Sequence, residues 1–241
     1  MRKSKYSLIR NIISFFLLPL AIILSVFSCK DKSDTLIVNY QYDYAPVDSG
    51  HYVIYDVDSI VYGTSRDTAS YQLMEIVADT FYDNLNELAY RLERYRRADE
   101  NSPWSIDRVW YTKRTATNFQ KVEDDIKFIK LVFPPAQDEE WNGNLYVPTV
   151  DPFKIYRNWN YQYTEVNAPY TIGSLSFDST LTVLEVDDEN LIEKTWRKEV
   201  YAKGVGLIYQ EWESLTKEVT TDWVTGPKSG FRIRMKVRDH N

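Results

Sequence analysis

From Leu36 onward, apolar and polar residues mostly alternate with a period of two, as in strands that bury one face. His51 to Tyr62 places Val53, Tyr55, Val57 and Val61 on one face, with Asp56 and Asp58 beside Ile54 and Ile60 on the other. Ser70 to Ala78 follows the turn-like Gly63-Thr64-Ser65-Arg66-Asp67, so the two runs predict a long antiparallel hairpin. Trp104 to Asn118 alternates, Ile126 to Phe133 is a compact apolar strand stopped by Pro134-Pro135, and Tyr156 to Val166 suits another strand. Leu175 to Val186, Leu191 to Tyr201 and Gly206 to Leu215 predict successive strands, with turns at Asp187-Asp188-Glu189-Asn190 and around Lys203-Gly204. The cleanest strand is Phe231 to Arg238, with Phe231, Ile233, Met235 and Val237 against Arg232, Arg234, Lys236 and Arg238. That basic face suits a solvated edge, where charge guards against the addition of a foreign strand.

Phe81 to Arg97 supports two readings. Tyr82, Leu85, Leu88, Ala89, Leu92 and Tyr95 fit helical spacing. The turn residues Asp83-Asn84-Leu85-Asn86 and the neighbouring strands favour a strand instead, with Leu88, Tyr90 and Leu92 on one face. Ala136 to Pro152 holds an acidic triplet and Asn142-Gly143-Asn144, and is expected to be a loop with at most a helical turn. Gly204 and Gly206 bracket Val205 and permit a bulge or tight bend. No repeat or internal linker interrupts the pattern. The expected fold is all-β, a single curved antiparallel sheet or half-open β-barrel meander with few or no long helices.

The N-terminus carries an export pattern. A basic tip (Met1-Arg2-Lys3-Ser4-Lys5) precedes the apolar run Ile12 to Phe27, which Pro19 interrupts and which is short for a membrane span. Val26-Phe27-Ser28-Cys29 resembles the bacterial lipobox, with an aliphatic residue three places before the cysteine and a small one just before it. The resemblance implies a lipoprotein signal peptide over 1–28 and acyl chains on Cys29. Residues 29–36, including Lys30 to Thr35, would then form a polar tether, and 37–241 a single β domain. The expected location is the outer membrane, on its periplasmic face or at the cell surface.

Charge narrows the partners. The chain carries −6 formally, and loss of Arg2, Lys3, Lys5 and Arg10 with the signal makes it more acidic still. That balance argues against nucleic acid and against anionic head groups, leaving membrane attachment to the acyl chains on Cys29. Cys29 is the only cysteine, so no disulfide supports the fold.

Candidate chemistry is sparse. The only histidines are His51, which opens a strand, and His240, which is penultimate, and no Ser-His-Asp arrangement can be built around them. No catalytic residue, metal-ligand set or cofactor is predicted. Carboxylates gather at Glu123-Asp124-Asp125, Asp138-Glu139-Glu140 and Asp187-Asp188-Glu189, where solvated turns are expected. Trp141, Trp104, Trp110 and Trp159 are the candidate binding residues, since exposed indoles stack on sugars or anchor protein partners. The competing role for them is to fill an aromatic-rich core.

Val200 to Tyr209 (VYAKGVGLIY) resembles a tail signature of uncharacterised Bacteroidota lipoproteins, and is more distantly similar to envelope proteins of the LolA and LolB half-barrel type. Phe128-Ile129-Lys130-Leu131 leading to Pro134-Pro135, Trp141-Asn142-Gly143-Asn144, and the long strand Gly50 to Tyr62 carry the same resemblance. It implies fold and location and no reaction. The expectation is therefore a lipid-anchored, non-enzymatic envelope protein that binds an envelope partner or an apolar ligand. A pocketless interior would leave only the partner. The alternative, a surface glycan-binding or glycan-acting lipoprotein, requires two carboxylates facing one aromatic-lined cleft.

Overall fold

The structure, a computed structural model, describes residues 38–241. The signal segment, Cys29 and the tether through residue 37 lie outside the described residues. The elements are β1 (Tyr52–Tyr62), β2 (Arg66–Tyr82), β3 (Leu88–Arg97), β4 (Ser105–Arg114), β5 (Asn118–Glu123) and β6 (Ile126–Val132), followed by β7 (Glu140–Trp141), β8 (Tyr161–Ile172), β9 (Leu175–Glu189), β10 (Glu193–Ala202), β11 (Gly206–Lys217) and β12 (Pro227–His240). All twelve belong to one antiparallel sheet ordered β6-β5-β4-β3-β2-β1-β12-β11-β10-β9-β8-β7. Two meanders therefore join along β1 and β12, and the sheet curls into a nearly closed barrel with a seam between β6 and β7. The all-β expectation holds. The only helical pieces among the described residues are 3-10 turns at Tyr42–Tyr44 and Phe153–Tyr156.

Bulges give the sheet its curvature. Register shifts occur at Ile54/Tyr55, Val77/Asp79, Arg197/Lys198 and Val200/Tyr201, each adding local twist and bend. At the seam, the Ile129 N–H donates to the Gly143 carbonyl at 2.8 Å and the Trp141 indole N–H to the Ile129 carbonyl at 2.9 Å. The Tyr163 hydroxyl bridges both backbone groups of Val132, accepting from its N–H at 2.9 Å and donating to its carbonyl at 2.8 Å. Only glycine fits at 143, because a Cβ there would lie 2.5 Å from the Tyr161 ring.

In Phe81 to Arg97, the first two residues end β2 and the rest forms a turn and then β3, as the turn residues suggest. The Asp83 carboxylate accepts the N–H groups of Leu85 at 2.9 Å and Glu87 at 3.0 Å, and Asn86 takes a left-handed φ of 57°. Those local bonds satisfy the backbone in a form that competes with a helix. Gly204 and Gly206, at φ of 75° and 84°, make the bend between β10 and β11.

Several expectations need correction. β12 is no edge, since it pairs with both β1 and β11, and its three arginines are matched to carboxylates: Arg232 to Glu213, Arg234 to Glu211 and Arg238 to Asp56. Val61 is half exposed, while Tyr62 is buried against Arg66 and Arg232. Asp187 to Glu189 end β9 rather than forming its turn, the region after Trp104 divides into β4 and β5, and the loop after Ala136 includes β7.

The chain before β1 closes one end of the barrel, here termed the base. Tyr44, Ala45 and Val47 are buried there, with the Tyr44 hydroxyl bonded to Asn167 at 2.9 Å and Ser179 at 2.8 Å. The Gly204 N–H donates to the Asp43 carbonyl at 2.8 Å, and Arg114 donates to the Ala45 carbonyl at 2.9 Å. The turns β9–β10 and β11–β12 lie at the opposite end of the strands, the apex.

Candidate functional site

Cross-strand partners share a face of a sheet, so the register decides which side chains enter the barrel. Glu75 on β2 pairs with Arg94 on β3, and Glu199 on β10 pairs with Gln210 on β11. Together with Lys121 and Glu123 on β5, Lys130 on β6, Glu185 on β9 and Arg197 on β10, these positions form a belt of charge across the interior. Most of these groups are buried, and the belt sets four carboxyl groups, Glu75, Glu123, Glu185 and Glu199, against four cations, Arg94, Lys121, Lys130 and Arg197.

One half centres on Glu75. Arg94 Nε donates to its carboxylate at 3.0 Å, and Lys121 Nζ reaches both oxygens at 3.1 and 3.2 Å. Lys121 also pairs with Glu123 at 3.0 Å. Trp110 lies beneath these cations, its ring 4.0 Å from the Arg94 guanidinium and 4.9 Å from Lys121 Nζ. Burial pushes the Glu75 carboxyl up, but Lys121 and Arg94 outweigh it and bring the pKa down to about 2.

The other half is a four-membered cluster. Lys130 bridges Glu185 and Glu199, meeting Glu199 at 2.8 Å, and Arg197 bridges the same two carboxylates at 3.1 and 2.9 Å. The Tyr201 hydroxyl donates to Glu199 at 2.6 Å, and Trp212 stacks below Arg197 at 4.7 Å. Both carboxylates are almost wholly buried. Desolvation favours the protonated form of each, yet Lys130 and Arg197, helped by Tyr201, hold Glu199 well below the usual range. Glu185 goes the other way, pushed up to about 7 by burial and by the neighbouring Glu199 charge.

Between the belt and the base lies a cavity of about 70 Å³, walled by Tyr44, Tyr55, Glu75, Lys121, Phe119 and Tyr201 among others. It has room for a few water molecules and falls far below the roughly 300–1,000 Å³ of an ordinary small-molecule site. Glu75, Glu123 and Glu199 reach its wall, and each is tied to a cation. The arrangement stiffens the interior. It presents no free carboxylate pair to a substrate in the cavity.

The four candidate tryptophans do not form one face. Trp159 is buried in an apical aromatic cluster with Tyr156 at 5.2 Å and Trp212 at 6.2 Å. Trp141 closes the seam, 4.6 Å from the Tyr163 ring. Trp110 faces the belt, and Trp104 is half-buried under Arg97 at 4.3 Å. Of the acidic triplets, Asp124 and Asp125 make the left-handed β5–β6 turn, while Glu123 belongs to the belt. His51 Nε2 lies 3.0 Å from the Val205 carbonyl at the base, and His240 lies beside Phe177.

The sequence reading missed the belt. Its signal was present as single charges at the inward phase of apolar runs, such as Lys130 within Phe128-Ile129-Lys130-Leu131 and Glu75 within Leu73-Met74-Glu75-Ile76. At the apex, Leu191 and Ile192 on the β9–β10 turn and Val219 and Val224 on the β11–β12 turn are exposed. The two turns adjoin, because the Lys217 N–H bonds to the Ile192 carbonyl at 2.9 Å and the Trp223 indole to Glu189 at 2.7 Å.

No family model, curated protein or solved structure matches this chain.

Proposed function

We propose that this chain is a lipid-anchored, non-enzymatic protein of the cell envelope that works through its outer surface by binding an envelope protein, rather than by sheltering an apolar ligand. One observation carries the reading: an ion-paired belt crosses the barrel interior, and the cavity between it and the base is only about 70 Å³. An acyl chain or sterol has no apolar volume there, and burying one would strand charges that are costly to leave unpaired. The lipobox-like Val26-Phe27-Ser28-Cys29 supports the anchor.

The partner surface we assign is the apex. Leu191, Ile192, Val219 and Val224 form an exposed apolar group rimmed by Glu189, Lys217 and Glu218, with an apolar centre and polar rim as interfaces have. Photo-crosslinking in cells, with the reactive residue at Leu191 or Val224, tests this. A discrete adduct that Cys29→Ala weakens and Ile192→Ser abolishes is expected. Adducts equal in amount to those from an exposed polar control such as Asn101 would overturn the reading.

A further inference from the structure

The β2–β3 turn carries a second exposed apolar group, at the opposite end of the barrel. Tyr82 and Leu85 are 69% and 72% exposed, and Leu88 is 43% exposed. The turn is not a loose loop. Phe81 packs edge-on against Tyr111 at 5.7 Å, and the buried Lys113 ties Asp83, at 2.7 Å, and Glu87 to β4. Lys113 therefore fixes the turn to the barrel wall and offsets the acids nearest its tip. Single exposed apolar residues are ordinary, but an aromatic and two leucines on one anchored turn form a group.

The position of this turn indicates what covers it. The described chain enters the barrel beside the end of β4 and the turn that follows it: Tyr42 donates to the Ala116 carbonyl at 2.9 Å, and Arg114 donates to the Ala45 carbonyl. Cys29 precedes Val38 by a short stretch, which even fully extended reaches only about 30 Å at roughly 3.3–3.6 Å per residue. A lipid on Cys29 would thus hold the base of the barrel, with its apolar turn, close to a bilayer surface.

We propose that Tyr82, Leu85 and Leu88 form a membrane-contact tip that enters the interfacial zone of the bilayer holding the Cys29 acyl chains. This rests on the lipid-anchor reading. Tyrosine and leucine suit that zone, where one end of a side chain is apolar and the other wet. With Asp83 and Glu87 paired to Lys113 and no excess of cations on the turn, the fitting surface is zwitterionic rather than anionic. The tip would fix the tilt of the domain and direct the apex away from the membrane.

The test uses full-length acylated protein in phosphatidylethanolamine–phosphatidylcholine vesicles. Acylation occupies Cys29, the only native cysteine, so a Leu85→Cys variant takes one environment-sensitive fluorophore, and a Leu191→Cys variant takes the same label at the apex. A blue-shifted label at position 85, quenched several-fold more by nitroxide lipids than the label at 191, is the expected result. Adding Tyr82→Ser and Leu88→Ser should remove that difference; its persistence would mean that the dye inserts unaided, and would overturn the proposal. Equal, water-like emission at both positions on protein that floats with the vesicles would refute the tip and leave the anchor standing. Protein that fails to float would refute the anchor, and the tip with it.

Discussion

Replacing Lys130 by methionine removes a buried cation while keeping much of its apolar length. Lys130 is 4% exposed and joins Glu185 to Glu199. Without it, Arg197 alone faces two carboxylates that have almost no contact with water. Breaking a buried pair from one side costs about 3–5 kcal/mol, because the stranded charge keeps its desolvation penalty. Against a total stability of roughly 5–15 kcal/mol this is a large share. Urea unfolding followed by tryptophan fluorescence measures it, since Trp212 lies against Arg197. Adding Glu185→Gln restores a balanced Arg197–Glu199 pair, so the double variant should recover at least about 1 kcal/mol of the loss. The cost of Lys130→Met should also grow from pH 5 to pH 8, because Glu185 can hold a proton at the acid end. A cost below about 1 kcal/mol at pH 8, with no recovery in the double variant, would refute the view that the belt is tightly coupled.

Further consequences follow from the same side chains. The Glu75 carboxyl lies at about 2 when folded against an ordinary 4.5, so its contribution of about 3 kcal/mol is present above pH 4.5 and is lost as pH falls toward 2; acid titration of stability in Glu75→Gln should lack that limb. Glu185 has the opposite sign. Its pKa is raised to about 7 from 4.5, so its contribution is complete below 4.5 and disappears as pH rises to about 7, a decline that melting curves of Glu185→Gln should not show. Gly230→Ala should cost at least about 2 kcal/mol, because its φ is 111° and a Cβ would lie 1.9 Å from the Ser214 carbonyl oxygen; the denaturation midpoint measures this. Cys29→Ala should be exported yet leave the membrane fraction, as cell fractionation with an antibody would show.

The strands were legible because burial of one face imposes a period of two, and Phe81 to Arg97 was legible because Asp83 satisfies the turn locally. What escaped depends on partners distant in sequence. Arg232, Arg234 and Arg238 look like a solvated edge until β11 and β1 bring Glu213, Glu211 and Asp56 beside them. The belt escaped because a lone charge in an apolar strand reads as an interruption, whereas Lys130, Glu185 and Arg197 each make sense only once three strands place them together. Bulges hid more: the register shift at Arg197/Lys198 lies opposite Glu185, so simple alternation cannot tell which way that side chain points. Closure of the sheet was equally hidden, since it depends on the pairing of β1 with β12 and on seam contacts such as Trp141 to Ile129. Trp141 is a candidate binding residue by its type, but its loop brings the indole to the seam, where it donates to the Ile129 carbonyl.

The central claim is that the ion-paired belt leaves no room for an apolar ligand between it and the base, and that the outer surface does the work. Purification of the acylated protein in mild detergent, followed by native mass spectrometry, tests it most directly. The account predicts a β domain free of retained small molecules, with an envelope protein recovered at defined stoichiometry and lost from Leu191→Ser, Val224→Ser protein. A lipid or other apolar molecule held stoichiometrically by the folded domain after detergent exchange, and released by Lys130→Met, would contradict it.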